Sequence, residues 1–83
     1  MKVINEKDLA KYVKEFDGKN IILNLDGTIN AKIKMENAEC EYNEEKGTLQ
    51  IKDKENTINI NIIPVYKIQV SENGTMLEIY LDS

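Results

Sequence analysis

Thr57-Ile58-Asn59-Ile60-Asn61-Ile62 alternates isoleucine with small polar residues, and this pattern decides the fold class. Successive side chains of a β-strand point to opposite faces, so an extended chain places all of these isoleucines on one side. The pattern predicts a half-buried antiparallel strand over residues 57–63. It should end at Pro64, because proline cannot donate a ladder hydrogen bond. We expect a central strand whose isoleucines face the core and whose asparagines face outward.

Period-2 alternation continues through most of the chain after Gly18. The apolar phase slips by one residue near Glu36-Asn37, which indicates either a bulge in one long bent strand or a short turn between two strands. Asp26-Gly27 and Asn73-Gly74 are typical of tight hairpin turns. The segments predicted from these signals, which combine into five or six strands, are 20–25, 28–35, 38–43, 48–52, 57–63, 65–71 and 75–81.

One amphipathic helix is predicted before the first of these strands, over residues 5–17. Asn5 can cap its first turn, and Gly18 can adopt the left-handed conformation that often ends a helix. Apolar side chains recur at spacings of three and four residues, which places them on one face that should cover the sheet. The residues of this apolar stripe are Leu9, Tyr12, Val13 and Phe16.

Size and composition indicate a single globular domain, residues 1–83. Of the 83 residues, 41% are hydrophobic and 31% are charged, which is typical of folded chains. No apolar run approaches the roughly 20 residues that cross a bilayer, and the first residues lack the apolar segment of a signal peptide. We therefore expect a cytoplasmic protein without membrane contact. Heavy use of isoleucine, asparagine and lysine is typical of AT-rich genomes and indicates a bacterial or phage source.

A helix followed by short strands and short turns predicts an α+β fold that is mostly β. The strands should be antiparallel, in a strongly bent sheet that is either open or closed into a small barrel. In layout the chain resembles the Sm-like and SH3-like barrels, in which a helix precedes five strands. Similar features are Gly18 before the first strand, the acidic-glycine turn Asp26-Gly27, and the break at Ile63-Pro64-Val65.

The resemblance spans roughly residues 5–70 and implies a small barrel. It does not extend to the RNA-binding positions of the Sm-like family. Lys32 lies where the family has a glycine in its second strand, and the family's Asp…Met-Asn signature is missing from residues 39–43. Its Arg-Gly signature near the fourth strand is missing as well. An Sm-like nucleic-acid-binding protein is therefore an alternative function rather than the leading one.

The residue types that carry most enzyme chemistry are absent or isolated. The chain has no histidine, so the usual general base and metal ligand are missing. Cys40 is the only cysteine and alternates with Ala38 and Tyr42, which favours a buried structural thiol. No glycine-rich phosphate loop occurs. We predict that the protein is not an enzyme and needs no cofactor or metal.

Charge disfavours nucleic acid as a partner. All 11 basic residues are lysines, scattered among 15 acidic residues for a net charge of −4. The densest charge is acidic, and we interpret it as a solvated strand face and turn. An inhibitor or immunity-type protein that blocks a basic partner is the alternative interpretation. The residues of this acidic patch are Glu39, Glu41, Glu44 and Glu45.

The last predicted strand, residues 75–81, is apolar on both faces. Leu77, Ile79 and Leu81 alternate with Met76 and Tyr80, with only Glu78 breaking the second face. We interpret it as an edge strand, which would be exposed in a monomer unless the helix or a partner covers it. The leading hypothesis is therefore a protein-interaction module that binds a partner or itself. Its predicted interface residues are Met76, Glu78 and Tyr80.

Overall fold

A computed structural model describes residues 1–82 of the protein. It confirms an α+β fold that is mostly β, with one short helix among the strands. In chain order the elements are β1 (Lys2–Ile4), α1 (Glu6–Phe16), β2 (Lys19–Asp26), β3 (Ala31–Asn43), β4 (Thr48–Lys52), β5 (Thr57–Asn61), β6 (Lys67–Val70) and β7 (Met76–Tyr80). The short strand β1, which precedes the helix, was not predicted from the sequence.

The strands form one sheet in the order β1-β6-β7-β2-β3-β4-β5. The prediction that all strands are antiparallel is wrong, because β2 and β7 pair in parallel from Ile22 opposite Met76 to Asp26 opposite Tyr80. Turn signals identify only strands that are neighbours in sequence, whereas β2 and β7 lie at opposite ends of the chain. Of the two predicted alternatives, an open sheet or a barrel, the barrel is wrong: β1 and β5 end the sheet without pairing with each other, so the sheet is not closed.

The phase slip near residue 36 is a bulge within the single long strand β3. Asn37 has a positive φ of 51°, and its N–H donates to Asn20 Oδ1 at 3.0 Å. The β2–β3 register shifts at the same level, between Lys19 and Ile21. The first half of β3 pairs with β2 and the second half with β4. The strand therefore joins a five-stranded sheet (β1-β6-β7-β2-β3) to a three-stranded meander (β3-β4-β5).

The helix begins and ends nearly where the sequence predicts. Asn5 caps it by accepting a hydrogen bond from the Asp8 N–H at 3.0 Å, and Gly18 follows it with φ at 82°. Leu9, Val13 and Phe16 are buried, as the apolar stripe predicts. They join one core cluster to which every strand contributes. The hydrophobic core lies between α1, the inner face of the five-stranded sheet and the meander.

One predicted boundary and one predicted turn are wrong at the start of β3. The segment expected at 28–35 begins at Ala31, and Asp26-Gly27 is not a two-residue hairpin turn. Residues 27–30 form a longer loop, in which Asp82 accepts hydrogen bonds from the Thr28 N–H and hydroxyl. Ile29, expected on the core face, is therefore 79% exposed. The Gly27 N–H donates to Asn30 Oδ1 at 3.0 Å, so the side chains of Asn30 and Asp82 hold these residues in a loop outside the strand ladder.

Two boundaries also differ around Pro64. β5 ends at Asn61, and the segment expected at 65–71 is reduced to Lys67–Val70. The Val65 N–H donates to the Ile62 carbonyl at 3.0 Å, so residues 62–65 turn the chain. The expectation that residues 57–63 form a central strand is wrong, because β5 pairs only with β4 and forms an edge of the sheet.

Candidate interaction surface

β7 lies at the centre of the five-stranded sheet, which corrects its interpretation as an edge strand. It pairs with β2 on one side and with β6 on the other. Leu77 and Ile79 point into the core, and their exposed fractions are 1% and 0%. The predicted interface residues Met76, Glu78 and Tyr80 alternate with them and therefore share the opposite side of the strand. Any contact through β7 must use these side chains, since both backbone edges are occupied.

These three residues belong to a continuous surface, which we call the outer face. It consists of the side chains on the side of the five-stranded sheet that points away from the core. Register places Ile22 beside Met76, Asn24 beside Glu78 and Asp26 beside Tyr80. The members of the outer face are Val3, Lys67, Gln69, Met76, Glu78, Tyr80, Ile22, Asn24, Asp26, Lys32 and Lys34.

Contacts within β7 and with its two neighbouring strands hold the central side chains of the outer face. The Tyr80 hydroxyl donates to Glu78 Oε1 at 3.0 Å. Lys67 Nζ lies 4.4 Å from the centroid of the Tyr80 ring, within the range of a cation–π interaction. The Asn24 side-chain amide lies 3.3 Å from the Met76 sulfur. These side chains are half-buried against one another, so their conformations are restricted before any partner arrives.

Two carboxyl groups meet in the middle of the outer face. A hydrogen bond to Asp26, followed by partial burial, raises the pKa of Glu78. Asp26 Oδ2 is buried and accepts no hydrogen bond from the donors of residues 1–82. A proton on Glu78 supplies a donor to this pair, whereas two ionised carboxylates would repel each other. Sequence reasoning missed the role of Asp26, because no local signal places it beside a strand 52 residues later.

An apolar group lies at the end of the sheet where β2 and β7 finish. Tyr66 and Leu81 are held there by hydrogen bonds of the Tyr66 N–H to the Tyr80 carbonyl at 2.8 Å and of the Leu81 N–H to the Asp26 carbonyl at 2.7 Å. Their side chains are exposed. Because Tyr66 and Leu81 alternate with the outer-face residues Lys67 and Tyr80, they lie at the end of the sheet and are not part of the outer face.

The predicted acidic patch is distributed over three places. Glu39 lies opposite Lys52, with Oε2 and Nζ 3.4 Å apart. Glu41 and Glu44 line a groove of about 300 Å³ beside α1, and Glu45 lies in the turn after β3. The four carboxylates therefore share no single pocket.

Cys40 lines the same groove and is half-buried. Burial raises the pKa of its thiol to about 11, and the nearby Asp17 carboxylate adds to the increase. The thiol is therefore protonated at neutral pH, which makes it a poor nucleophile.

A larger groove of about 750 Å³ lies between the β3 bulge and the β4–β5 turn. Its charges are mixed, so it offers no concentrated field for a phosphate or for a cation. Within residues 1–82, no group of three or more potential metal-ligating side chains comes together. The charged residues that line this groove are Lys34, Glu36, Glu39, Lys52, Asp53, Lys54 and Glu55.

In the described part of the chain, no helix has the length and apolar character needed to cross a membrane. No protein-family model matches the sequence, and no curated protein or solved structure matches the chain. The assignment of a function therefore rests on the geometry of the surfaces described above.

Proposed function

We propose that this protein is a small non-enzymatic interaction module that binds a protein partner through the outer face. The observation that carries the proposal is the arrangement of the five-stranded sheet, whose inner face is buried while its outer face stays accessible. On the central strand β7, Met76 lies beside Ile22 at one end. Tyr80 lies at the other end, with Glu78 between them. Methionine and tyrosine are enriched in the buried centres of protein interfaces.

The contacts within the outer face favour binding. Association costs free energy for every flexible side chain that becomes fixed at an interface. Tyr80 is held by its hydrogen bond to Glu78 and by Lys67 above its ring, so much of this ordering precedes contact with a partner. Lys32 and Lys34 lie on the same face beyond β2 and add a polar, charged rim.

The chemistry of the site supports a binding role over catalysis. The Cys40 thiol is held in its protonated form, and the chain contains no histidine. The Asp26–Glu78 pair lies on an open strand face, which would not shield a reacting group from water. Heavy use of isoleucine, asparagine and lysine favours an AT-rich bacterial source, and we propose a cytoplasmic setting, so the partner should be sought in a lysate of a low-GC bacterium.

The test is capture of a partner by the immobilised protein and by Met76→Glu and Tyr80→Glu variants. Each substitution adds a charge to the central strand of the outer face, so we expect at least about a tenfold loss of the captured partner. Asn56→Glu is the matched control, because it adds the same charge to an exposed turn away from the outer face. Thermal unfolding of all three variants shows whether each remains folded.

Equal capture by the wild type and both outer-face variants would contradict the proposal. The alternatives predict other results. An Sm-like protein should retain short RNA on a filter at low salt, with binding that weakens as salt rises. An acidic inhibitor should lose its partner when Glu41 and Glu44 are changed to lysine, while Tyr80→Glu leaves that partner bound.

A further inference from the structure

The free edge of β5 presents unpaired backbone groups. Just beyond the β4–β5 ladder, the Ile62 N–H donates to the Gly47 carbonyl at 2.8 Å. At the other end, the Asp53 N–H donates to the Asn56 carbonyl at 2.9 Å. Antiparallel ladders alternate between hydrogen-bonded and non-hydrogen-bonded residue pairs.

These two bonds and the register of the ladder determine which residues of β5 hydrogen-bond to β4. Ile58 and Ile60 direct their N–H and C=O groups toward β4. The backbone groups of Thr57, Asn59 and Asn61 therefore point away from the sheet, where no strand of residues 1–82 pairs with them.

The edge lacks the features that normally keep such strands from pairing. Proteins protect exposed edges with charged residues, proline, bulges or very short strands. β5 runs for five residues as Thr-Ile-Asn-Ile-Asn without a charge or a proline, in a chain that is 31% charged. By contrast, the opposite edge strand β1 has only three residues and begins with Lys2. β5 is thus the open edge suited to accept another strand.

We propose that two copies of this protein pair through β5, antiparallel about a two-fold axis at Asn59. This register places Asn59 opposite its own copy, Thr57 opposite Asn61, and Ile58 opposite Ile60. The free backbone groups of the two strands then form about six hydrogen bonds. The two meanders would join into one continuous sheet, and each half-buried Ile58 would pack against Ile60 of the other copy.

A second copy suits this edge because the register is self-complementary in charge. Gln50 lies beside Asn59 on the outward side of the meander. In the dimer, Gln50 and Asn59 of one copy would lie in line with Asn59 and Gln50 of the other. Only neutral amide side chains would therefore meet at the junction. The nearest charged side chain is Lys52, which lies beside Thr57 on the neighbouring strand β4. Its Nζ is 3.4 Å from Glu39 Oε2 of the same copy, so its charge is already paired. No like charges meet directly across the junction.

The pairing surface is one short strand, smaller than the roughly 1,200–2,000 Å² of stable protein interfaces. We therefore expect a weak dimer that forms as protein concentration rises. The inference goes beyond the proposed function, since β5 and the outer face are separate surfaces. Tyr80→Glu should lose the partner while still forming the dimer, and a variant of β5 should do the reverse.

The test is the mass in solution by analytical ultracentrifugation, from micromolar to millimolar protein. For the wild type we expect an increase from 9.5 kDa toward twice that mass. Asn59→Lys places two like charges together at the axis and should weaken the dimer by at least about tenfold. Gln50→Lys is the matched control, because it adds the same charge one strand farther from the axis and should dimerise nearly as the wild type does.

Amide hydrogen exchange locates the contact independently of the variants. At high concentration, the amides of Thr57, Asn59 and Asn61 should exchange more slowly than at low concentration. The amides of Ile58 and Ile60 should be protected at both concentrations, since they bond to β4. Three results would overturn the proposal: a wild type that stays monomeric at millimolar concentration, equal dimerisation of Asn59→Lys, or assembly that continues past the dimer.

Discussion

β5 and β7 are strands of equal length with opposite surroundings. β5 alternates isoleucine with polar residues and forms an edge of the sheet, whereas β7 is apolar on both faces and lies between two strands. The sequence patterns led to the reverse assignment. The comparison shows that alternation reports how many faces of a strand are buried and carries no information on how many neighbours it has.

The central position of β7 explains why its accessible face also has apolar residues. Met76 and Tyr80 are half-buried because side chains of β2 and β6 flank them, so a strand in the middle of a sheet can use apolar residues on its accessible face. The outward residues of β5 have a neighbour on one side only. Asn59 and Asn61 are accordingly exposed and polar.

The largest expected difference between the two strands is in core packing. Ile79→Ala should lower the free energy of unfolding by about 2–5 kcal/mol, because the side chain is fully buried and leaves a cavity. Ile58→Ala should cost roughly half as much, since Ile58 is half-buried at the edge. Urea unfolding at micromolar protein measures both. Equal losses would contradict the central position of β7.

Local elements were predictable because their causes lie within a few residues. Asn5 caps the helix and Gly18 follows it, as propensity and capping rules require. The phase slip near residue 36 marked the bulge of β3, although the sequence alone left a turn open as the alternative. The bulge residue Asn37 is a type that tolerates positive φ better than most.

The arrangement of the strands depends on pairs distant in the chain, which local patterns do not specify. Nothing near Asp26 indicates that β7 will pair in parallel with the other edge of β2, or that the loop 27–30 will replace the tight turn and leave Ile29 exposed. The predicted residues Met76, Glu78 and Tyr80 share one face because of alternation alone. Their neighbours Asp26 and Lys67 belong to the same site only because of that distant pairing.

A smaller effect is expected from Glu78, the carboxyl group on β7. The hydrogen bond to Asp26 and partial burial raise its pKa, and the Tyr80 hydroxyl and Lys67 offset part of this increase. Its stabilising contribution is therefore present below the usual glutamate value of 4.5 and is lost as pH rises through the raised value. Glu78→Gln should keep the hydrogen-bonding shape without the charge.

We therefore expect Glu78→Gln to raise the melting temperature near pH 7 and to leave it almost unchanged near pH 4, where the wild-type carboxyl is already protonated. Thermal unfolding over this pH range measures the difference. A Glu78→Gln variant that melts below the wild type at neutral pH would show that the ionised pair stabilises the sheet, contrary to the arrangement described here.

The smallest effect is expected at Asp53, which lies in the turn that leads into β5. Backbone hydrogen bonds from Glu55 and Asn56, at 2.9 and 2.7 Å, lower the pKa of its carboxyl group. Its contribution has the opposite sign to that of Glu78: it is present above the usual value of 3.8 and is lost as pH falls through the lowered value. Asp53→Ala should reduce the melting temperature at neutral pH, and the deficit should shrink on acidification. Because Asp53 lies in a surface turn and not in the core, the change should stay below that of Ile58→Ala. At neutral pH, Asp53→Ala should melt below the wild type and Glu78→Gln above it. If the two differences in melting temperature had the same sign and changed with pH in the same way, the opposite pKa shifts of the two carboxyl groups would be contradicted.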